Sequence, residues 1–163
     1  MIENNLLEIP VFKFAVDDIS YLPRKAHATD TGWDVKAAET IELKPWEYTK
    51  ISLGFRMFAP EGFWLELRPR SSTFIKKNLN CLYGVVDTGF EGKMMLCCSF
   101  QPTPDFISYN DTLLIKAGEA IGQLIPVRRQ EMKVEMVSNE EYESLCQKRN
   151  STRGEGGFGS SSS

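Results

Sequence analysis

The sequence has 163 residues, of which 42% are hydrophobic and 25% charged, and its formal net charge is -3. These values lie near the averages of soluble globular proteins, so they exclude a fully disordered chain, a collagen-like repeat and a coiled coil. At this length we expect one domain with one core. A weakly acidic chain has no general field for a nucleic-acid backbone, so we expect no nucleic-acid partner.

Residues 1–5 are acidic and polar where a signal peptide would be basic and then apolar. No apolar run approaches the roughly 20 residues of a membrane span, so we expect a soluble, cytoplasmic protein without a membrane partner. The four cysteines contain no Cys-x-x-Cys pair, and His27 is the only histidine. This pattern favours free buried thiols over a zinc site or a disulfide framework. The cysteines are Cys81, Cys97, Cys98 and Cys146.

Apolar and polar residues alternate in short stretches, which is typical of strands rather than helices. The predicted strands are 11–16, 33–37, 50–57, 63–68, 93–100 and 132–136. The turn sequence at 59–62 predicts a hairpin between the strands on either side of it. Many short strands at roughly ten-residue spacing indicate an all-β sandwich, jelly roll or barrel.

The C-terminal part of the chain predicts one short helix followed by an arm. Ser138 can cap the helix while Glu141 bonds back to it, and residues 142–146 supply a short apolar stripe. After Asn150 the chain is rich in Gly and Ser and cannot bury enough surface to fold alone. We therefore divide the sequence into a folded domain, residues 1–149, and a flexible arm, residues 150–163.

Two clusters have the chemistry to bind a phosphorylated ligand. In the arm, glycine amides can approach phosphate oxygens, Arg153 adds a cationic fork and Phe158 offers a ring for stacking. The alternative is a solubilising Gly/Ser terminus. Arg70, Ser71 and Ser72 follow a predicted strand and suit a polyphosphate, although an exposed loop with an N-cap serine explains them equally well.

The segment 84–92 predicts a tight hairpin with Asp87 before its turn and the aromatic Phe90 after it. A carboxylate at a strand end can be partly desolvated and aimed at a water, but a plain turn aspartate is an equal alternative. Asp34 and Gln123 are polar residues within strand-like runs, where each alone is more often a satisfied structural group. The sequence contains no Ser/His/Asp triad and no Walker or Rossmann glycine pattern.

The order and spacing of these segments resemble the five motifs of the trimeric deoxyuridine triphosphatase (dUTPase) family. The matching segments are 30–37, 69–72, 84–92, 118–124 and 153–161. The resemblance implies an all-β, jelly-roll-like β-barrel (β-clip) with one short C-terminal helix and a flexible C-terminal arm. It also implies a homotrimer in which three subunits share each active site and the arm closes over a neighbour's site.

By this resemblance the chain hydrolyses dUTP to dUMP and pyrophosphate, keeping uracil out of DNA and supplying dUMP for thymidylate synthesis. Asp87 would activate the water that attacks the α-phosphorus, and Phe90 would pack under the sugar and exclude a 2′-hydroxyl. Backbone groups around Gly84 and Val86 would read uracil, and Asp34 would support the arginine network. The remaining implied substrate-binding residues are Arg70, Ser71, Ser72, Gln123, Arg153, Gly156, Gly157, Phe158, Gly159 and Ser160.

The implied cofactor is Mg²⁺, held mainly by the substrate phosphates and water rather than by protein side chains. Two features depart from the family pattern: Gly122 stands where alanine is usual, and residues 102–116 form a longer segment than in compact bacterial members. The longer segment could alter trimer contacts or hold a regulatory protein partner.

Two other functions are compatible with the same fold. The related deoxycytidine triphosphate deaminases need a glutamate base where this chain has Cys97. A nucleotide-sensing or protein-binding module is the alternative outside enzymes, but intact Asp87 and Arg153 argue against lost catalysis.

Overall fold

The computed structural model describes residues 9–103, 112–152 and 154, and strands dominate this part of the chain. The strands are β1 Lys13–Val16, β2 Trp33–Lys36, β3 Ile41–Leu43, β4 Tyr48–Ser52, β5 Phe55–Phe58, β6 Phe63–Pro69, β7 Leu79–Cys81, β8 Gly84–Val86, β9 Met95–Phe100, β10 Leu113–Ile115 and β11 Ala120–Arg128. The α-helices are α1 Ser71–Lys77 and α2 Asn139–Arg149, and Ile19–Tyr21 form a short 3-10 helix. This composition confirms the predicted all-β fold with a short C-terminal helix.

The strands form antiparallel sheets around one core. A four-stranded sheet has the order β2-β11-β6-β8, a three-stranded sheet has the order β4-β9-β7, and β1–β5 and β10–β3 form two separate pairs. Inward-facing residues of both larger sheets are buried in the same cluster, in which Phe55, Leu96 and Phe100 are almost completely shielded from solvent. The double-sheet arrangement is of the jelly-roll type that the strand spacing predicts.

The predicted hairpin between 50–57 and 63–68 is wrong. Gly54, with a φ of +72°, interrupts the first stretch, so that β4 and β5 are separate strands in different sheets. A side chain is excluded there because a Cβ would stand 2.7 Å from the Tyr21 ring. β5 pairs with β1, whereas β6 pairs with β11 and β8. The turn at 59–62 therefore carries the chain from one sheet to another.

The segment 84–92 contains the predicted turn but not a hairpin. The Phe90 amide donates to the Asp87 carbonyl at 3.0 Å, which closes the turn. The strands on either side, β8 and β9, belong to different sheets. Alternation of apolar residues indicates that one face of a strand is buried but does not specify its partner.

Helix α1 begins at Ser71, where the sequence predicts a loop. Arg70 is its N-cap residue with extended backbone, and Asn78, in the left-handed region at a φ of +50°, ends it. Lys76 and Lys77 in the last turn, followed by this asparagine, are the C-terminal signal that could have predicted it.

The chain divides into two units, residues 1–129 and 130–163. All the strands above lie in the first unit. In the second, α2 forms as predicted, with the Glu141 amide donating to the Ser138 hydroxyl at 3.2 Å. The predicted strand at 132–136 is not formed. No helix in the described ranges is long and apolar enough to cross a membrane.

Candidate functional site

Five of the predicted site residues lie together at one end of the four-stranded sheet. Gln123 on β11 is the register partner of Asp34 on β2, and β6 ends beside them and leads into Arg70. The Arg70 Nε lies 3.3 Å from the Asp34 Oδ1. The Gln123 Nε2 donates to the Pro69 carbonyl at 3.3 Å. We call this group the arginine cluster; it consists of Asp34, Arg70, Ser71, Ser72 and Gln123.

The arginine cluster is arranged to receive an anion. Arg70 is paired with a single carboxylate and its side chain is 37% exposed, so part of its donor fork can reach a phosphate. A Cβ at Gly32 would stand 2.1 Å from the Gln123 Oε1, so the glycine gives the Gln123 side chain the room to lie over the start of β2. The Ser71 and Ser72 hydroxyls begin α1 directly after the arginine.

The other predicted residues of the first unit lie around β8. Val86 is buried opposite Leu65 of β6, and Gly84 lies opposite Leu67. Asp87, which directly follows Val86, lines a cleft of about 320 Å³. The cleft is lined by Trp64, Val85, Asp87, Thr88, Gly89 and Arg129. We call Gly84, Val86, Asp87 and Phe90 the aspartate cluster.

Two hydrogen bonds hold the turn of the aspartate cluster in shape. The Thr88 hydroxyl donates to the Phe63 carbonyl at 2.5 Å, and the Phe90 amide donates to the Asp87 carbonyl. The Phe90 ring is 42% exposed and lies over Gly92, where a Cβ would stand 2.7 Å from the ring. The turn therefore presents a carboxylate and an accessible aromatic ring.

Within one chain, the arginine cluster and the aspartate cluster lie far apart. The register of β6 with β8 places Asp87 beside Trp64, near the start of β6, whereas Arg70 follows its last residue, Pro69. Arg70 lies six positions after Trp64, which at roughly 3.3 Å per residue in a strand corresponds to about 20 Å. A general base must lie within about 3 Å of the proton it removes, or one water further away. Asp87 and Arg70 of one chain therefore cannot serve the same phosphate.

The predicted residues of the arm lie outside the described residues, as does most of the longer segment 102–116. The arm residues concerned are Arg153, Gly156, Gly157, Phe158, Gly159 and Ser160. Within residues 9–103, 112–152 and 154, no three His, Cys, Asp or Glu side chains group in a way that could hold a metal ion. The arginine cluster has one carboxylate, Asp34, already paired with Arg70, whereas Mg²⁺ requires several oxygen ligands.

The cysteines are free, as predicted, although only Cys81 and Cys98 are buried. These two are register partners on β7 and β9. The hydrogen bond between their thiols, together with burial, raises the pKa of Cys81, so that its thiol stays protonated at neutral pH. Cys81 therefore supplies no charge to the aspartate cluster.

Two features near the site carry no signal in the sequence. Trp64 forms a wall of the cleft, but its position in the sequence predicts only an outward-facing strand residue. Thr73, one residue after Ser72, is fully buried and hydrogen-bonded to β11. Neither residue type is unusual at its position, so only the register and the packing reveal them.

Comparison with known proteins gives consistent matches. The family model described as dUTPase matches residues 19–162. The deoxyuridine 5′-triphosphate nucleotidohydrolase of Rhodococcus erythropolis is 31% identical over 143 residues, covering 86% of this chain and 78% of that protein. The enzyme of the same name from Mycolicibacterium gilvum is 32% identical over 142 residues, covering 86% of both chains.

Solved structures of dUTPases also match this chain. A mutant dUTPase of Staphylococcus bacteriophage 80alpha with dUpNHpp superimposes with a TM-score of 0.73 at 27% identity, covering 93% of this chain and 98% of that chain. The dUTPase of phage phi11 of S. aureus, at 23% identity and a TM-score of 0.69, has the same fold over 80% of this chain and 99% of that chain.

Proposed function

The chain belongs to the dUTPase family, and we propose that it hydrolyses dUTP to dUMP and pyrophosphate in a homotrimer whose subunits share each active site. The separation of the arginine cluster from the aspartate cluster by about 20 Å along β6 carries this proposal. A site that needs both clusters is incomplete in one chain, so a second copy has to supply one of them. Closed rings of identical subunits provide such heterologous contacts.

In this proposal the aspartate cluster of one subunit binds the nucleoside. Backbone groups from Gly84 to Val86 read the edge of uracil, and the exposed Phe90 ring packs under the sugar and leaves no room for a 2′-hydroxyl. The Asp87 carboxylate orients a water within the cleft and accepts its proton. The oxygen of that water then attacks the α-phosphorus, and pyrophosphate leaves in line.

The arginine cluster of a neighbouring subunit binds the phosphates. Arg70 and the Ser71 and Ser72 hydroxyls contact their oxygens, Gln123 adds an amide donor, and Asp34 holds the guanidinium in place from 3.3 Å. Such preorganised donors stabilise the charge that develops on the transferring phosphoryl group. The substrate is the Mg²⁺ complex of dUTP, in which the ion offsets the phosphate charge that an acidic protein would otherwise repel.

We propose that the arm of a third subunit, residues 150–163, closes over the active site that its two neighbours form. Arg153 and Ser160 would clamp the γ-phosphate, Phe158 would stack on uracil, and the glycines between them would bring backbone amides to the phosphates. We also propose that the longer segment 102–116 serves a regulatory protein partner, and that the enzyme acts in the cytoplasm.

Pyrophosphate release from dUTP, dCTP, dTTP and UTP, each with and without Mg²⁺ and with chromatography of the products, tests the activity. The proposal predicts strong selectivity for dUTP and dUMP as the product. A deaminated product from dCTP would identify the deaminase branch instead. Tight dUTP binding without turnover would identify a sensor.

A further inference from the structure

Thr73 lies in α1, in the position after the two serines of the arginine cluster, and its side chain is completely buried. In the described part of the chain, Thr73 and Ser99 are the only polar residues that are buried. The Thr73 hydroxyl donates to the Ile121 carbonyl at 2.8 Å, across 48 positions of sequence. A buried polar group of this kind is retained only where it is paired, because an unpaired one is costly.

The acceptor carbonyl belongs to a bulge in β11. Ala120 and Gly122 pair with consecutive residues of β2, so Ile121 between them has no partner of its own in that register. On its other side β11 pairs with β6, where Gly122 is the register partner of Pro69, and Arg70 continues this register opposite Ile121. A carbonyl oxygen has two lone pairs and can accept a second hydrogen bond. The Arg70 amide, at 3.4 Å, and the Thr73 hydroxyl both point to the Ile121 carbonyl.

This carbonyl connects two parts of the arginine cluster. Arg70 donates to it from the N-cap of α1, Thr73 donates to it from the first turn, and Gln123 follows it by two positions on β11. The Thr73 amide also donates to the Arg70 carbonyl at 3.0 Å. At the other end of α1, the Lys77 ammonium forms an ion pair with Glu119, just before β11. Helix α1 is therefore tied to β11 at both ends.

We propose that Thr73 is a positioning residue for the phosphate-binding half of the site, and that its hydroxyl fixes the distance between the Arg70–Ser71 segment and Gln123. This inference rests on the proposed function. The Thr73 side chain is buried and contacts no substrate, so its effect reaches the phosphates only through Arg70, Ser71 and Gln123. Because those residues face the phosphates, the loss of the Thr73 hydrogen bond affects a triphosphate and spares a nucleoside monophosphate that depends mainly on the aspartate cluster.

The test compares Thr73→Val, which keeps the volume but removes the hydrogen bond, with Thr73→Ser, which keeps the hydroxyl. The matched control is Ser99→Ala on β9, which removes the other buried hydroxyl, an acceptor for the Gln101 side-chain amide at 3.0 Å. Binding of dUpNHpp and of dUMP is measured by titration calorimetry, and KM and kcat are measured for dUTP. Wild-type turnover of dUTP is recorded first, so that a failure of the proposed activity is seen separately.

We expect Thr73→Val to weaken dUpNHpp binding and raise KM by about 10-fold or more, since small misplacements at a site have effects of this order. We expect dUMP binding to change little, Thr73→Ser to restore triphosphate binding, and Ser99→Ala to leave both affinities near wild type. If Thr73→Val does not fold, Thr73→Ala is measured in its place. Equal weakening of dUMP and dUpNHpp, or unchanged triphosphate binding in a folded variant, would overturn the proposal.

Discussion

Gly92→Ala tests the proposed role of the Phe90 ring because the glycine is what lets the ring lie where it does. A Cβ at Gly92 would stand 2.7 Å from the ring, whereas ordinary van der Waals contact begins at 3.4 Å. The ring must therefore move by about 0.7 Å. Both residues are exposed, so the cost of that movement is small, and the lower entropy of the unfolded chain offsets it by roughly 0.4–1 kcal/mol.

We therefore expect the free energy of unfolding of Gly92→Ala to stay within about 1 kcal/mol of wild type. The kcat/KM for dUTP should fall by about 10-fold or more, because a misplacement approaching 1 Å is costly at a reacting centre. Stability is measured by urea unfolding and turnover by pyrophosphate release. Gly89→Ala, in the same turn, is the control for stability only, because a Cβ there meets nothing within 4 Å but Gly89 itself lines the cleft of Asp87. Wild-type kcat/KM for dUTP in Gly92→Ala would refute the placement of Phe90 against the sugar.

Two further predictions concern charged side chains. Asp87→Asn keeps the shape of the cleft and should retain dUpNHpp affinity while lowering kcat by at least about 10²-fold, the loss expected when a general base is removed; unchanged kcat would remove Asp87 from that role. Partial burial acts to raise the pKa of Glu119, but hydrogen bonds from Lys77 and the Lys116 backbone, with the charges of both lysines, hold the pKa below its usual value. A lowered carboxyl pKa stabilises the fold, fully above the unfolded-state pKa of about 4.3. The advantage of wild type over Glu119→Gln, about 1 kcal/mol at most for a partly exposed pair, should be full at pH 7 and should decrease as the pH falls below the unfolded-state pKa and through the lower folded-state pKa. A difference in urea midpoint that does not change with pH would contradict the assignment.

The sequence predicts individual strands well because alternation reports directly on which face is buried. It places β1, β2, β6 and β9 correctly within a residue or two, and the capping pattern at Ser138 places α2. Strand partners are not encoded in this local pattern. The segment 50–57 alternates without a break, yet Gly54 divides it between two sheets, and only the packing of the Tyr21 ring against that glycine explains why.

For the candidate site, too, the local sequence pattern does not show which residues lie next to each other. Motif order predicts Asp87, Arg70 and Gln123 as site residues, but no local pattern tells which of them lie together. The register of β6 with β8 and β11 decides that Gln123 joins Arg70 and that Asp87 lies at the far end of the strand. The sequence carries no signal for the buried Thr73, because its hydrogen-bond acceptor, the Ile121 carbonyl, lies 48 positions later in the chain.

The claim that different subunits supply Asp87 and Arg70 to one site is tested most directly by mixing two inactive variants. Asp87→Asn and Arg70→Ala subunits are co-refolded in equal amounts, and mixed oligomers are verified by native mass spectrometry. In a ring whose sites combine the two clusters from different chains, random mixing gives about a quarter of the sites both intact residues. The account predicts recovery of about a quarter of wild-type turnover, and activity no higher than that of the separate variants in verified mixed oligomers would contradict it.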